Sequence, residues 1–159
     1  MSLFDFLKRK DNGHDKEKQK HHDINITVEF ATEEDAIQIS QLDAHIAKNE
    51  LESLIMQKRV LSAKQDGKLY GFLRFNLFWD NTPFINMLFV IEKHRKKGIG
   101  ARLIQAFEAK VKEQGYTKVL TSSLSSEEVQ HFYRKLGYFD CGSLLLPNEP
   151  LEIFFVKEI

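Results

Sequence analysis

The chain has 159 residues, which is enough for one domain with a substantial hydrophobic core. Its 23 basic and 23 acidic residues cancel, so no overall positive field attracts nucleic acid or an anionic membrane surface. The single cysteine, Cys141, excludes an internal disulfide and favours a reducing compartment. No apolar run approaches the ~20 residues of a membrane span, and charges interrupt the start of the chain by Lys8, so we expect a cytoplasmic protein.

The first 23 residues differ from the rest in composition. Apolar residues at positions 3, 4, 6 and 7 could form one face of a short helix that anchors the chain or docks a partner. Nearly every residue from Asp11 to Asp23 is polar or charged, which favours a simpler interpretation, a tail whose few apolar residues pack against the domain. His21 and His22 are adjacent and cannot share a helix face, so we expect no metal site there. The predicted organisation is a tail over residues 1–23 and one domain over residues 24–159.

Alternating apolar residues predict that the domain starts with a half-buried strand over residues 24–30. Thr32 can cap a helix that runs to about Ala47, and the acids that follow Thr32 suit the positive end of the helix dipole. A second helix is predicted over about residues 49–58. The side chains expected to face inward from these two helices are Ile37, Ile39, Leu42, Leu51, Leu54 and Ile55.

Three strands are predicted next, over about residues 60–64, 69–79 and 83–91. The dipeptide Asp66-Gly67 favours a tight hairpin turn between the first two strands. The third strand is apolar at almost every position from Phe84 to Val90, which indicates burial on both of its faces.

A basic, glycine-containing turn over residues 92–101 joins this strand to an amphipathic helix over about residues 98–114. The N–H groups at a helix N-terminus lack partners within the helix and carry the positive end of its dipole. Gly98 and Gly100 have no Cβ, so the turn can adopt unusual backbone angles and let phosphate oxygens approach. The sequence therefore predicts a phosphate site, although it contains no P-loop, and Leu103 stands where a dinucleotide fingerprint needs glycine.

The remaining predicted elements are a strand over residues 117–122, a helix, and two strands over about residues 138–146 and 151–157. Ser125 and Glu128 fit a capping box that would start the helix at Ser125 or Ser126, and Gly137 suits its C-terminal cap. Cys141 lies among apolar neighbours in the first of the two last strands, so we expect a buried and inert thiol.

Two motifs resemble those of the GNAT superfamily of N-acetyltransferases. Residues 95–100 read Arg-x-x-Gly-x-Gly, the pattern with which that family binds the pyrophosphate of acetyl-CoA, and residues 132–138 read Phe-Tyr-x-x-x-Gly-Tyr, similar to its Phe-Tyr-x-x-x-Gly-Phe motif. The predicted order of elements, β-α-α-β-β-β-α-β-α-β-β, matches the family over residues 24–159. The resemblance implies an α/β (α+β) fold whose mixed, mostly antiparallel central sheet of about seven strands is flanked by about four helices.

The resemblance also implies an acyltransferase with acetyl-CoA as cosubstrate and assigns residues to it. Tyr133 would protonate the departing thiolate of CoA, and Ser126 stands where relatives often use asparagine to hold the pantetheine arm. The residues implied in binding acetyl-CoA are Leu88, Phe89, Val90, Arg95, Lys96, Lys97, Gly98, Ile99, Gly100, Ala101 and Ser126. Family members often dimerise through their terminal strands, so a homodimer is a further expectation.

The sequence departs from the family at the general base. Many relatives place a carboxylate on the fourth strand, but this chain has Asn86, which cannot accept a proton at pH 7. Asp80, just before that strand, is the first candidate for catalysis or amine binding, although a plain turn aspartate is the simpler interpretation. A water relay would leave no side-chain base to find. The acids near Glu33 and Asp80 would suit a cationic acceptor.

The expected reaction is the transfer of the acetyl group of acetyl-CoA to an amine of a small molecule or peptide, by direct attack in a ternary complex. The alternative is a non-catalytic module that binds or senses acyl-CoA. Asn86 slightly favours this alternative, whereas Tyr133 favours the enzyme.

Overall fold

A computed structural model describes residues 25–159, and the expectations for residues 1–24 lie outside that range. Its helices are α1 (Glu33–Leu42), α2 (Lys48–Met56), α3 (Ile99–Glu113) and α4 (Val129–Lys135). Its strands are β1 (Thr27–Phe30), β2 (Val60–Gln65), β3 (Lys68–Phe78), β4 (Thr82–Val90), β5 (Lys118–Leu124), β6 (Phe139–Leu144) and β7 (Glu152–Glu158). Within residues 25–159, no helix has the length and apolar character needed to cross a membrane.

All seven strands form one sheet in the order β1-β2-β3-β4-β5-β7-β6. Neighbouring strands run antiparallel except β4 and β5, which are parallel. The predicted α/β fold, with a mixed and mostly antiparallel sheet and four helices, is therefore confirmed. The predicted turn between β2 and β3 is also present, with Asp66 at φ 51° and Gly67 at φ 72°.

The sheet buries apolar side chains on both faces, because successive residues of a strand point to opposite sides. On one face, Leu73 of β3 belongs to the same core as Phe107 of α3. On the other face, Phe72 belongs to a second core with Ile39 of α1 and Leu51 of α2. The two cores hold helices against opposite faces of the sheet and leave the edge strand β6 uncovered, with every residue exposed.

The first helix is shorter than the sequence predicts. It ends at Leu42 and not near Ala47, because the chain turns away at Asp43. The Asp43 carboxylate is buried and accepts a 2.6 Å hydrogen bond from Nε of Arg74 on β3. Breaking a buried ion pair costs about 3–5 kcal/mol, which exceeds the helix preference of the few residues that follow.

The buried face of α1 also differs from the prediction. The residues that it buries are Asp35, Ala36 and Ile39, so Ile37 is 62 % exposed and Leu42 is exposed as well. The inward placement of Leu51, Leu54 and Ile55 on α2 is confirmed.

Asp35 fastens α1 to β2. Its carboxylate accepts hydrogen bonds from the Thr32 backbone N–H (2.8 Å), the Ser62 hydroxyl (3.1 Å) and the Lys64 ammonium (2.9 Å). Burial alone would raise the pKa of Asp35, but these three partners hold it below its ordinary value. Asp35 therefore has a structural task in addition to its favourable position at the helix start.

The helix α4 starts later than predicted, and the capping box of Ser125 and Glu128 does not form. The Ser125 N–H instead donates a 2.7 Å hydrogen bond to the Leu151 carbonyl, which continues the pairing of β5 with β7 beyond Leu124. Ser125 and Ser126 lie in a turn after β5, which the Glu127 N–H closes by donating to the Leu124 carbonyl at 3.0 Å. The Glu127 carboxylate accepts a hydrogen bond from the Leu124 N–H at 3.3 Å.

The expectation of a buried thiol at Cys141 was wrong, because the side chain is exposed. Cys141 lies on β6, where the pairing with β7 is irregular between Asp140 and Gly142. Its apolar neighbours Phe139 and Leu144 are exposed too, so the pattern that indicated burial belongs to an apolar edge of the sheet.

Replacing Asp43 with Asn should lower the free energy of unfolding by about 3–5 kcal/mol, because Arg74 would keep a buried charge without its counter-charge. Urea denaturation measures the change. Glu52→Gln is the control, since it breaks an ion pair with Lys48 whose side chains are 70 % and 50 % exposed. That control should lower the free energy of unfolding by less than about 0.5 kcal/mol. Equal losses for the two variants would show that the buried ion pair stabilises the fold no more than the exposed one.

Candidate functional site

The strands β4 and β5 separate partway along their length. They pair only through Phe84 with Leu120 and Ile85 with Thr121. The Thr121 hydroxyl donates a 3.3 Å hydrogen bond to the Ile85 carbonyl at this last pair. Beyond it, β4 stays paired with β3 but has no strand partner on its other side. We call this point the fork.

A bulge at Asn86 lies directly at the fork. Ile85 pairs with Phe75 and Met87 pairs with Arg74, so Asn86 between them has no partner on β3. A bulge bends its strand and increases the local twist, which turns β4 away from β5. Residues 87–90 are consequently half-buried, and the prediction that β4 is buried on both faces was wrong for this half of the strand.

The fork opens into a cleft of about 990 Å³. Most of its lining comes from β4, β5, the turn after β5 and α4: Ile85, Asn86, Met87, Leu88, Thr121, Ser122, Ser123, Leu124, Glu127, Glu128, Val129 and Tyr133. The other lining residues are His45, Arg74, Arg95, Glu149 and Glu152. The volume is typical of a site for a small organic ligand.

The turn between β4 and α3 presents unpaired N–H groups, as predicted for a phosphate site. Gly98 has the left-handed conformation, at φ 80°, immediately before the helix. The first hydrogen bond of α3 runs from the Arg102 N–H to the Gly98 carbonyl at 3.0 Å. The N–H groups of residues 99–101 precede it and have no carbonyl partner within the helix. The exposed basic residues 95–97 surround these donors, so the turn can bind an anion.

Arg95 and Gly100 have different tasks in this turn. Nε of Arg95 donates a 3.0 Å hydrogen bond to the Val90 carbonyl at the end of β4, and the same side chain lines the cleft. Gly100 lies inside the first turn of α3, where a Cβ would be 3.4 Å from the Phe132 ring. Its missing side chain therefore lets α3 and α4 pack closely, whereas Gly98 is the glycine whose positive φ the turn requires.

His94 adds no charge to the turn at neutral pH. Burial lowers the pKa of His94, and the nearby lysines Lys97, Lys93 and Lys68 lower it further. The ring lies against Tyr70, with 4.2 Å between the ring centroids. The positive charge of the phosphate site therefore comes from the arginine and lysines that follow His94.

Tyr133 forms part of the cleft wall near the fork. It projects from α4, is 4 % exposed, and packs edge-on against Tyr138 with 5.6 Å between the ring centroids. Burial raises the pKa of Tyr133, the Thr121 hydroxyl beside it opposes that rise, and the Glu127 carboxylate adds to it. The phenol therefore stays protonated at neutral pH and can donate a hydrogen bond to a group in the cleft.

Of the residues predicted to bind acetyl-CoA or to act in catalysis, those that line the cleft are Leu88, Arg95 and Tyr133. The Phe89 side chain packs into the core beneath α1 and α2, which leaves only its backbone for a ligand. Ser126 is exposed and is not part of the lining. Each of these assignments stays a prediction about the bound state.

Asp80 and Glu33 lie away from the cleft lining. Asp80 is exposed in the turn between β3 and β4, at φ 63°. Glu33 lines a separate pocket of about 340 Å³ together with residues of α1 and α2. The structure therefore adds no support for a catalytic task of Asp80, and the acids that face the cleft are different ones.

The sequence did not reveal four carboxylates and one serine of the cleft. Glu127 and Glu128 fall within the predicted start of a helix, and Glu149 lies between the last two predicted strands. Glu152 and Ser123 lie on neighbouring strands, but no local pattern indicates which residues face the fork. The only available signal was the concentration of acids just before the helix that carries Tyr133.

Comparisons with known proteins agree with this geometry. The model of the Acetyltransferase (GNAT) family matches residues 23–138. A comparison with curated proteins gives no match.

Solved structures of similar fold include Ard1 from Thermoplasma volcanium, with a TM-score of 0.71 at 17% identity over 84% of this chain and 97% of that one. The NatC complex bound to Gag peptide and CoA has a TM-score of 0.71 at 15% identity over 84% of this chain and 98% of that one. An aminoglycoside 6'-N-acetyltransferase complexed with coenzyme A has a TM-score of 0.66 at 18% identity, over 83% and 96%. At these levels of sequence identity, the comparisons show a similar fold and nothing further.

Replacing Gly98 with Ala should weaken acetyl-CoA binding about tenfold. An alanine in the left-handed conformation costs roughly 1–2 kcal/mol, so the turn would relax and move its unpaired N–H groups away from the phosphates. Titration calorimetry with acetyl-CoA measures the dissociation constant. Gly115→Ala is the matched control, since Gly115 at the other end of α3 has φ 93° and, like Gly98, has open space within 4 Å of the point that a Cβ would occupy. Both variants should lose similar stability, and equal affinities would show that the turn does not bind the coenzyme.

Proposed function

The chain belongs to the GNAT acetyltransferase family, and from this premise we propose that it transfers the acetyl group of acetyl-CoA to an amine of a small molecule or peptide by direct attack in a ternary complex. It is an acyltransferase with acetyl-CoA as its cosubstrate. The observation that carries the proposal is the fork, where the free edge of β4 faces a buried tyrosine across a cleft. The phosphate turn adjoins the same strand.

The fork suits the extended shape of acetyl-CoA. The pyrophosphate binds the N–H groups at the start of α3, with the charge of Arg95, Lys96 and Lys97 around it. The pantetheine arm then lies along residues 86–90, where the side of β4 that would face β5 has no strand partner. Unpaired backbone groups are costly unless a ligand or water satisfies them, so the amides of pantetheine are suitable partners.

The chemistry needs a neutral amine, a stabilised oxyanion and a protonated leaving group. The amine nitrogen attacks the thioester carbon, and the developing oxyanion accepts hydrogen bonds from N–H groups at the free edge of β4. The C–S bond then breaks, and the Tyr133 hydroxyl donates its proton to the CoA thiolate. The proton that the amine loses passes through water to solvent or to a cleft carboxylate, because Asn86 at the fork cannot accept it.

The acceptor is an amine, and both small molecules and peptides are compatible with the open cleft. Among the structures of similar fold, one is an aminoglycoside acetyltransferase and another is bound to a peptide. The exposed free thiol of Cys141 supports a reducing compartment, and we place the reaction in the cytoplasm.

Replacing Tyr133 with Phe should lower kcat about 100-fold while leaving the KM for acetyl-CoA within about threefold, because the hydroxyl acts on the thiolate and not on binding. Release of CoA from acetyl-CoA across a panel of amines measures the rate. The pKa of Tyr133 lies above its ordinary value of 10.0, so the loss should be the same from pH 6 to pH 9.

Tyr138→Phe is the matched control, since its ring packs against Tyr133 but its buried hydroxyl lies beside Glu108 and does not line the cleft. This control should retain kcat. Full activity of the Tyr133→Phe variant would show that the Tyr133 hydroxyl does not protonate the CoA thiolate. Tight acetyl-CoA binding without turnover on any amine would instead identify a non-catalytic binding module.

A further inference from the structure

One histidine lines the cleft in addition to the groups already described. It is His45, on the connection between α1 and α2. Alkylamines are protonated near neutral pH, and an ammonium has no lone pair with which to attack a thioester. Asn86 at the fork cannot accept a proton, and Tyr133 keeps its own. His45 is therefore the cleft residue whose chemistry best suits the removal of this proton.

Two hydrogen bonds tie the backbone of His45 to the strand beside the fork. The His45 N–H donates to Oδ1 of Asp43 at 3.0 Å. The other oxygen of this carboxylate accepts Nε of Arg74 at 2.6 Å, in a pair whose side chains are at most 9 % exposed. Arg74 lies across from Met87, the residue that follows the bulge. The connection that carries His45 is therefore anchored to the part of the sheet where β4 leaves β5.

His45 and Tyr133 reach the cleft from opposite faces of the sheet. Tyr133 belongs to the core that packs α3 against one face. Ile46, the neighbour of His45, packs against the core beneath α1 and α2 on the other face. In the tetrahedral intermediate the nitrogen and the sulfur are different substituents of one carbon, so each needs a proton-transfer group of its own. The two faces of the sheet supply one group each.

The His45 side chain is available to take a proton. It is exposed, and its ring nitrogens make no hydrogen bond or ion pair with any residue from 25 to 159. An imidazole ordinarily exchanges its proton near neutral pH, whereas a carboxylic acid has an ordinary pKa of about 4. The imidazole is therefore the stronger base, and it still releases its proton readily after each turnover.

The charged groups around the cleft favour a protonated His45 once the proton has been transferred. Arg74 is neutralised by Asp43, and Lys48 at the start of α2 lies 3.8 Å from the Glu52 carboxylate. Arg95 lies on the β4 side. The β5 side carries four carboxylates that form no ion pair within the described part of the chain: Glu127, Glu128, Glu149 and Glu152. Negative charge in the cleft stabilises an imidazolium.

We propose that His45 is the general base of the transfer and takes the proton of the acceptor ammonium, directly or through one water. The inference rests on the proposed function and names the acceptor of that proton in place of solvent or a cleft carboxylate. The freed lone pair forms the bond to the thioester carbon, the C–S bond breaks, and Tyr133 protonates the sulfur. The second proton of the nitrogen passes through water to the Tyr133 oxygen, and His45 releases its own proton to solvent.

Replacing His45 with Gln should lower kcat/KM for an alkylamine about 100-fold, the usual contribution of a general base. The loss should be only a few-fold for a hydrazide, whose nitrogen is already neutral near pH 7. Release of CoA measures both rates, and titration calorimetry should show acetyl-CoA affinity within about twofold of the wild type. His131→Gln is the matched control, since His131 is exposed on α4 and lies outside the cleft lining, and it should keep the wild-type rates.

The pH dependence and a chemical rescue distinguish a base from a residue that only shapes its loop. A protonated imidazole cannot accept a second proton, so the advantage of the wild type over His45→Gln should shrink as the pH falls from 8 to 5. This ratio cancels the ionisation of the amine itself. Imidazole added to His45→Ala should restore part of the rate with the alkylamine, because it can occupy the space of the missing ring.

The outcomes separate the inference from the function beneath it. Unchanged activity of His45→Gln with alkylamines overturns the assignment and leaves the acetyltransferase intact. An equal loss for the alkylamine and the hydrazide, which imidazole does not restore, assigns His45 to the structure of the loop and also overturns it. Failure of the wild type to acetylate any amine, with acetyl-CoA still bound, contradicts the proposed function itself.

Discussion

The separation of β4 from β5 beyond Ile85 and Thr121 is the constraint on which the functional part of the structure depends. A continuous sheet would satisfy the backbone groups of residues 86–90 and leave no cleft. Each unsatisfied buried backbone group costs roughly 1–3 kcal/mol, so an open strand pair needs water or a ligand at its edges. The bulge at Asn86 explains this separation, because it bends β4 at the point where the pairing with β5 ends. Asn86 therefore lies at the structural origin of the cleft.

The buried ion pair of Asp43 and Arg74 links this cleft to the opposite face of the sheet. Arg74 lies across from Met87, beside the bulge, and its partner ends α1. The other oxygen of the Asp43 carboxylate accepts the His45 N–H at 3.0 Å, which fixes the connection between α1 and α2 at the cleft lining. One charged pair thus sets both the end of a helix and the position of a loop that lines the cleft.

Local sequence patterns were sufficient for most of the fold. The apolar spacing of α3 placed that helix within a residue at each end. Of the two glycines expected to adopt unusual backbone angles, Gly98 is left-handed, whereas Gly100 lies within the helix. Some of the errors come from contact between segments distant in sequence, and the wrong inward face of α1 is an error of local helical spacing. The end of α1 is set by an arginine 31 residues away. The exposure of Cys141 follows from its strand lying at the edge of the sheet, and periodicity carries no information on which strand is an edge.

The two sides of the fork carry opposite charge, and this division explains why the site could be only half predicted. The basic side is local: a few consecutive residues build the turn after β4, so the sequence contains the whole motif. The acidic side is assembled from two segments, the turn after β5 and the start of β7, which the pairing of β5 with β7 brings together, so no single stretch of sequence contains it.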